Sequence, residues 1–246
     1  MDDTHRRETV LITGAGSGLG EATAHAFARC GYTVACLDLN ASNAEEVRRN
    51  LPTVKQDHIA LDCDVSDADA VFGAVAQVVE QCGSLDVAVN CAGTDFVVAV
   101  NDMTVAQWDR VISVNLRGPF LVAKAAFAVM REQRSGHIVN IASTAAVRAW
   151  GNAAAYHASK WGLVGFSRGL GVEGRPYGIR VTTMIPGGMQ THFFDRFPEQ
   201  GIPMPDERNL QTPANVAEAI VFAVRMPPPS VVQEVIVTPL TETSWP

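Results

Sequence analysis

The sequence is poor in cysteine and histidine, and neither residue type is clustered. Its 246 residues include five cysteines and six histidines. The cysteines form no C-x-x-C pair, and the histidines form no H-x-H or H-E-x-x-H motif. An odd number of cysteines fits reduced thiols in the cytoplasm better than a disulfide framework. The sequence therefore predicts neither a metal site nor a disulfide scaffold.

Positive charge is also scarce. The chain carries 19 Lys and Arg against 26 Asp and Glu, which gives a net charge of −7. A diffuse acidic surface does not attract a nucleic-acid backbone or an anionic membrane. The first residues, Met1 to His5, are polar and contain no apolar signal-peptide core, and we expect no membrane-spanning stretch. We expect a cytoplasmic protein with no nucleic-acid and no membrane partner.

Short β-branched runs alternate with amphipathic segments along the chain, in which 47% of the residues are hydrophobic. The predicted strands are Thr9–Ile12, Thr33–Leu37, Ile59–Leu61, Asp86–Asn90, His137–Ile141, Ile179–Ile185 and Val231–Val237. The predicted helices are Leu19–Arg29, Asp67–Glu80, Thr104–Val114, Pro119–Arg131, Ala154–Gly174 and Pro213–Arg225. Parallel strands need crossover helices between them. The sequence thus predicts an α/β fold, a single-domain doubly wound (Rossmann-type) seven-stranded parallel sheet with helices on both faces. The domain spans 1–246, and the long irregular stretch at about 187–211 is expected to cover the substrate.

A glycine-rich turn, Thr13–Gly20, follows the first predicted strand and opens the first helix. Its spacing is G-x-x-x-G-x-G, which differs from the common G-x-G-x-x-G dinucleotide fingerprint. Glycine turns are frequent in connecting loops, so the motif gains its weight from lying between a strand and a helix. There, free N–H groups and the positive helix end meet a pyrophosphate. The candidate cofactor residues in this turn are Gly14, Ser17, Gly18, Leu19 and Gly20.

The ends of the next strands offer further cofactor contacts. Asp38 ends the second strand, where a carboxylate accepts hydrogen bonds from both ribose hydroxyls. Neither Ser17 nor Leu39 is a cation for a 2′-phosphate, so the sequence favours NAD over NADP. Asp64 and Val65 either contact the adenine or belong to a helix cap, and the sequence does not separate these alternatives. The fourth strand ends in a segment whose candidate residues are Asn90, Ala92 and Gly93.

Tyr156 and Lys160 are spaced i, i+4 on a predicted helix, so their side chains share one face. An ammonium group near a phenol favours the phenolate, which can exchange a proton with a substrate oxygen. The Y-x-x-x-K spacing alone is frequent on helices. Ser143, after the fifth strand, and Asn115, in the preceding helical region, make it a candidate catalytic site.

Together these segments resemble the short-chain dehydrogenase/reductase family over nearly the whole chain. Thr13–Gly20 matches the family's T-G-x-x-x-G-x-G motif, and Asn90–Gly93 matches its N-N-A-G motif. The family's catalytic residues fall on Asn115, Ser143, Tyr156 and Lys160. Its nicotinamide-side segment is similar to Pro186, Gly187, Met189 and Thr191.

The resemblance implies a role for each of these groups. Tyr156 is the general acid/base, and Ser143 holds and polarises the substrate oxygen. Lys160 binds the nicotinamide ribose and tunes Tyr156, while Asn115 orients a water in the proton relay. The resemblance also implies a symmetric homotetramer, with contact surfaces on the helices after Gly118 and around Tyr156. Three aromatic residues are either interface or core residues: Phe120, Phe127 and Phe166.

Some residues depart from the family pattern. Cys91 replaces the second asparagine of N-N-A-G, and Ile185 stands where many members have asparagine. The tail Val235–Leu240 lacks the D-G-G ending of the acyl-carrier-protein reductases, which weakens a 3-oxoacyl assignment. The resemblance implies an NAD-dependent oxidoreductase that interconverts a secondary alcohol and a ketone by hydride transfer. Two other functions stay open: a nicotinamide-binding regulator without turnover, and a sugar-nucleotide epimerase or dehydratase. The four filled catalytic positions argue against the first, and the short chain argues against the second.

The irregular stretch predicts the substrate class. The residues expected to form an apolar pocket wall are Met189, Phe193, Phe194, Phe197 and Trp150. A polyol bound there leaves hydroxyls unpaired, so we expect hydrophobic ketones or secondary alcohols, or a 3-oxoacyl group, as substrates. Arg148 either meets an anionic substrate or is a solvated loop arginine, and we expect the second. His157 is expected to be a packing or surface residue, and Trp245 has no assigned role.

Overall fold

The computed structural model of the chain describes residues 8–53, 57–195, 197–198, 202 and 204–242. Its centre is a seven-stranded sheet in the order β3-β2-β1-β4-β5-β6-β7, and every neighbouring pair is parallel. The strands are β1 Thr9–Thr13, β2 Thr33–Asp38, β3 Ile59–Asp62, β4 Val87–Asn90, β5 Gly136–Ile141, β6 Ile179–Pro186 and β7 Glu234–Val237. This confirms the predicted doubly wound α/β fold.

The helices cover both faces of the sheet. They are α1 Gly18–Arg29, α2 Ala41–Asn50, α3 Ala68–Cys82, α4 Val105–Ile112, α5 Gly118–Gln133, α6 Ala154–Gly174 and α7 Pro213–Val224. Alternate residues of β1 point to opposite faces, as strand geometry requires. Val10 and Ile12 pack in the core with α1, α2 and α7, whereas Leu11 packs in the core with α3 and α5. Because both faces are buried, the strand sequence is a continuous apolar run.

Several element bounds differ from the sequence prediction. Helix α2 was not predicted, because Ala44 and Val47 are its only buried residues and its apolar stripe is correspondingly narrow. Asn40 starts this helix by accepting hydrogen bonds from the N–H groups of Ser42 and Asn43. Strand β7 begins at Glu234 and not at Val231. Thr212 precedes α7 as predicted but makes no side-chain cap bond.

The two helices expected between Thr104 and Arg131 form one continuous run, because a π-helical turn, Ser113–Arg117, joins α4 to α5. By length and composition this run can cross a membrane, with a mean hydropathy of 1.3 in its most apolar window. That corrects the expectation that no stretch meets this criterion. Half of the window is buried inside the protein, and Leu121, Val122 and Met130 pack in the sheet core. The apolar character is therefore that of a core helix.

The strand order reverses direction between β1 and β4, and a crevice opens there at the carboxyl ends of the strands. A cleft of about 1170 Å³ occupies this edge of the sheet. Its lining comes from the segments that follow β1, β2, β3, β4, β5 and β6. The sheet topology thus brings residues distant in sequence to one site.

Candidate active site

The glycine turn lines the cleft, and close backbone contacts exclude a side chain at Gly14 and Gly20. A Cβ on Gly20 would lie 1.9 Å from the carbonyl oxygen of Gly14. Gly14 itself has a φ of +64°, and a Cβ there would lie 2.8 Å from Ala92 Cα. Helix α1 begins at Gly18, and its first residues line the cleft. The backbone N–H groups of that first turn have no intrahelical partner, so the turn is suited to a phosphate group.

Asp38 is fixed against this turn. One carboxylate oxygen, Oδ2, accepts a hydrogen bond of 2.9 Å from the Gly16 N–H, and Oδ1 accepts one of 2.9 Å from the Asn40 N–H. Leu39 beside it is exposed and lines the cleft. A side chain on Gly16 would lie 2.9 Å from the Asp38 carboxylate. The sequence prediction missed this supporting role of Gly16, for which an x position in the motif gives no signal.

Asp64 and Val65 both line the cleft. Asp64 accepts hydrogen bonds from the N–H and hydroxyl of Ser66 and forms an ion pair of 3.3 Å with Arg110. Burial alone raises the pKa of Asp64, but these bonds outweigh it and hold the pKa below its usual value. The cap of α3 is Asp67, which accepts from two N–H groups of the first turn. The helix-cap alternative therefore describes Asp67, and Asp64 is free of that role.

Asn90, predicted as a cofactor residue, does not line the cleft. Its side chain is buried in the sheet and donates a hydrogen bond of 2.8 Å to the Asn140 side chain, which in turn donates to Ser167. Ala92 and Gly93, at the end of the same segment, do line the cleft. Cys91 lines it too, and burial raises the pKa of its thiol to about 12. A thiol held protonated in this way is not a nucleophile at neutral pH.

Asn115 lies in the π-helical turn and is fully buried behind the cleft wall. Its amide nitrogen donates to the Thr94 carbonyl at 2.8 Å and to Ser159 Oγ at 3.1 Å. Its oxygen accepts from the Thr94 N–H at 2.8 Å. Both amide hydrogens are thus used, and one lone pair of the oxygen remains. The structure ties Asn115 to the strand β4 exit and to α6.

Tyr156 and Lys160 line the cleft from α6, one turn apart. The Lys160 ammonium lies 5.6 Å from the centre of the Tyr156 ring and donates a hydrogen bond of 2.8 Å to the Ile141 carbonyl. Lys160 is only 5% exposed. Burial lowers the pKa of Lys160 to about 8, against the opposing influence of Cys91 and Asp95. Its charge is therefore present at neutral pH and is held close to the phenol.

Ser143, two residues after the end of β5, also lines the cleft. It precedes a short 3₁₀ helix, Thr144–Ala146, and its hydroxyl accepts a hydrogen bond of 3.1 Å from the Ala145 N–H. A hydroxyl that accepts from the backbone keeps its own proton for donation. A substrate oxygen in the cleft can therefore meet two O–H donors, Ser143 and Tyr156.

The segment after β6 also lines the cleft. Pro186, Gly187, Met189 and Thr191 all line it. Gly187 donates to the Val237 carbonyl at 2.9 Å, and Gln190 and Gln211 tie the segment together by backbone bonds. A side chain on Gly18 would lie 3.3 Å from the Thr191 methyl group, so the segment reaches the glycine turn.

Aromatic residues of this segment form one wall of the cleft, as the sequence predicted. The Phe193 ring lies 5.7 Å from the Tyr156 ring, and the Phe193–Phe194 and Phe194–Phe197 ring pairs are 5.6 and 5.1 Å apart. Met189 and Trp150 line the same cleft. In the described part of 187–211, His192–Phe194 and Glu207–Asn209 form short 3₁₀ helices, and Met189 and Gln211 form a β-bridge.

Arg148 differs from its prediction. It lines the cleft, is largely buried and forms an ion pair with Glu242 through two nitrogens. His157 holds the same loop, since its ring nitrogens meet the Ala145 carbonyl at 2.8 Å and the Trp150 N–H at 3.1 Å. This supports the expected packing role of His157. Trp245 lies outside the described residues. In the described part of the chain, no group of three His, Cys, Asp or Glu residues is arranged to hold a metal ion.

Comparison with known families identifies the chain. Residues 8–201 match the short chain dehydrogenase family. The protein belongs to this family. D-threitol dehydrogenase of Mycolicibacterium smegmatis is 39% identical over 179 residues, which are 73% of this chain and 69% of that one. Levodione reductase of Leifsonia aquatica is 38% identical over 185 residues, which are 74% of this chain and 69% of that one.

Solved structures of similar short-chain dehydrogenases cover almost the whole chain. A metagenomic short-chain oxidoreductase in complex with NADP has a TM-score of 0.81 and 28% identity, over 94% of this chain and 96% of that one. An alcohol dehydrogenase from the archaeon Thermococcus sibiricus, complexed with 5-hydroxy-NADP, has a TM-score of 0.83 and 26% identity. It covers 95% of this chain and 97% of that one. The protein is therefore an oxidoreductase of the short-chain dehydrogenase family.

Proposed function

We propose that this short-chain dehydrogenase interconverts a secondary alcohol and a ketone with NAD(H), and that Tyr156 is its general acid/base. One observation carries the proposal. Tyr156, Lys160 and Ser143 line the same cleft as the glycine turn and Asp38. The relatives named for an alcohol and a dione support this reaction class.

The cleft fits a dinucleotide. The turn at Gly14–Gly20 leaves no space for a Cβ at Gly14 or Gly20, as expected of a cradle whose backbone approaches phosphate closely. Asp38 would hold the adenosine ribose, and Lys160 with Thr191 would hold the nicotinamide end. When bound there, the nicotinamide supplies or accepts the hydride.

The NAD preference rests on Asp38. Each of its carboxylate oxygens already accepts one backbone N–H bond and has a further lone pair for a ribose hydroxyl. A 2′-phosphate at this position meets the carboxylate charge. The solved relatives that carry NADP or 5-hydroxy-NADP make the cofactor a point to be tested by experiment.

The proton moves at Tyr156 Oη. During ketone reduction the phenol donates its proton to the carbonyl oxygen, and during alcohol oxidation the phenolate takes the hydroxyl proton. The Lys160 ammonium, 5.6 Å from the ring centre, stabilises the phenolate. The Ser143 hydroxyl donates to the same substrate oxygen and orients it. The Phe193 ring lies 5.7 Å from the Tyr156 ring and would shield one side of it from water.

Asn115 acts from behind the cleft wall. Its three hydrogen bonds hold the Thr94 backbone and Ser159, which is one residue from Lys160. We propose that it positions the β4 exit against α6, and that its remaining lone pair orients a relay water.

The test compares Tyr156→Phe with a matched control, Tyr177→Phe, whose ring packs on Phe127 away from the cleft. Turnover of a ketone panel with NADH is expected to fall about 10²–10⁴-fold in Tyr156→Phe, the usual size of general acid/base help. Tyr177→Phe is expected to keep wild-type turnover, and both variants should bind NADH. Activity of Tyr156→Phe within a few-fold of wild type would show that another group carries the proton.

The same assay tests the second candidate function, a regulator without turnover. Wild-type protein that binds NADH but oxidises or reduces no member of an alcohol and ketone panel would support the regulator. A sugar-nucleotide epimerase would instead hold NAD through purification.

A further inference from the structure

An arginine and a glutamate from distant parts of the chain form a largely buried ion pair at the cleft. Arg148 Nη1 and Nη2 donate to the two carboxylate oxygens of Glu242, each at 3.1 Å. The side chains are only 21% and 12% exposed. Both residues line the cleft that holds Ser143 and Tyr156. A largely desolvated ion pair of this kind affects the binding of any other charged group that enters the cleft.

Glu242 leaves Arg148 almost no capacity to bind a substrate anion. A guanidinium has five N–H groups. Two of them bond Glu242 and a third bonds Thr144 Oγ1 at 3.4 Å. The Nε–H is buried and has no hydrogen-bond partner among the described residues. One N–H of Nη1 remains, and a carboxylate that approached it would meet the negative charge of Glu242.

The other basic side chains that line the described part of the cleft also contact partners. Arg110 pairs with Asp64, and His192 lies 2.7 Å from Asp195. Lys160 is bonded to the Ile141 carbonyl beneath Tyr156. Of these side chains, Lys160 has no carboxylate partner among the described residues, and in the proposed function it is engaged by Tyr156 and the nicotinamide ribose.

The tail that carries Glu242 is held in place by further bonds. Thr241 Oγ1 donates to the Arg208 carbonyl in the segment that covers the cleft. The Glu242 N–H donates to the Pro239 carbonyl at 3.0 Å. Trp150 flanks the pair, with its ring 5.6 Å from the Arg148 guanidinium carbon. Glu242 is thus positioned by its own turn and does not depend on Arg148 alone.

We propose that Glu242 is a specificity-determining residue, which occupies Arg148 and so makes the cleft select uncharged over carboxylate-bearing ketones and alcohols. This rests on the proposed function of the cleft. Removal of the Glu242 charge converts Arg148 from a paired cation into an anion site. Glu242→Gln is the suitable change because it keeps the shape of the side chain.

The experiment measures binding, so that it does not depend on turnover. Benzoate is titrated calorimetrically into wild type, Glu242→Gln and the double variant Arg148→Gln/Glu242→Gln, in a buffer free of phosphate and at low salt. The affinity for benzoate is expected to rise about tenfold or more in Glu242→Gln, the size of one charge-assisted hydrogen bond. The double variant is expected to lose this gain. Affinity within twofold of wild type in Glu242→Gln, or a gain that persists in the double variant, would overturn the proposal.

Two further measurements complete the test. Benzamide has the same ring without the charge, and its affinity is expected to stay constant across the three proteins. Glu242→Ala is to be titrated as well, so that a folding defect of one variant does not decide the outcome. If no ketone is turned over by wild type, the proposed function fails, while the benzoate titration still reports on Glu242.

Discussion

The buried Lys160 charge lowers the stability of the protein at neutral pH. The side chain is 5% exposed, and its charge is opposed by burial, which lowers its pKa from an ordinary 10.5 to about 8. Replacement by methionine keeps the length and apolar character of the side chain and removes the charge. We expect Lys160→Met to be inactive when cofactor is supplied. In the absence of cofactor, we expect it to be more stable than wild type at pH 7.

The size and sign of the effect follow from proton linkage. At pH 7 Lys160 is protonated in both the folded and the unfolded state, so the folded state bears the full cost of burying the charge. A pKa shift from 10.5 to about 8 makes this cost roughly 3 kcal/mol of folding free energy. The lost hydrogen bond to the Ile141 carbonyl offsets about 1–2 kcal/mol of the gain. The net stabilisation by Lys160→Met is about 1–2 kcal/mol, or about 2–8 °C in Tm.

The pH dependence distinguishes this reasoning from a general packing effect. Between pH 8 and 10.5 the folded wild type has released the Lys160 proton and the unfolded chain retains it, so wild-type stability rises with pH. The extra stability of Lys160→Met over wild type is therefore expected to decrease between pH 8 and 10.5 and to vanish or reverse above pH 10.5.

Thermal unfolding of both proteins from pH 7 to pH 10.5, at one protein concentration, measures this difference. Lys124→Met is the control, because Lys124 is exposed. The stability difference between Lys124→Met and wild type is not expected to change with pH in the same way. The reasoning is refuted if Lys160→Met is the less stable protein at pH 7, or if its advantage is constant with pH.

Three other predictions concern the cofactor, the substrate and assembly. The wild type is expected to show a higher kcat/KM with NAD(H) than with NADP(H), and Asp38→Ala to narrow the gap; a wild-type preference for NADP(H) contradicts this reading. Hydrophobic ketones are expected to exceed polyols in kcat/KM in a matched panel that includes threitol, because the aromatic wall offers few polar partners. Better turnover of polyols would show that the aromatic residues are structural. Light scattering at micromolar concentration is expected to report a homotetramer, and a monomer would refute that proposal.

Much of the fold could be predicted because the decisive patterns are local. Six of the seven strands are short runs rich in apolar and β-branched residues, and their predicted bounds agree with the structure within about one residue. Helix α6 has the predicted bounds, Ala154–Gly174. Helix α2 escaped prediction because its stabilising face is two residues wide, which leaves no periodic signal. The π-helical turn escaped because it keeps one helix continuous without any proline or glycine within Ser113–Arg117.

The candidate site was predicted from motifs, and what the motifs did not show was the direction of side chains. Asn90 follows the motif in sequence, but its side chain turns into the sheet toward Asn140. Asn115 is likewise brought behind the cleft wall and not into it. Arg148 gave no sign of burial, because its partner Glu242 is 94 residues away.

The cofactor and catalytic groups differ from the substrate-facing groups in how the chain encodes them. The glycine turn lies within eight residues, Thr13–Gly20, and Tyr156 and Lys160 are one helical turn apart. Their geometry is fixed by local backbone structure, so a short motif carries it. The substrate end is built by long-range contacts: Arg148 with Glu242, Phe193 with Tyr156, and Gln211 with the Val237 carbonyl at a separation of 26 residues. Such contacts can change by substitution at either end without any change in the motifs. The reaction class can therefore be predicted from the sequence motifs. The residues that we propose to determine substrate choice, such as Glu242, lie outside every motif.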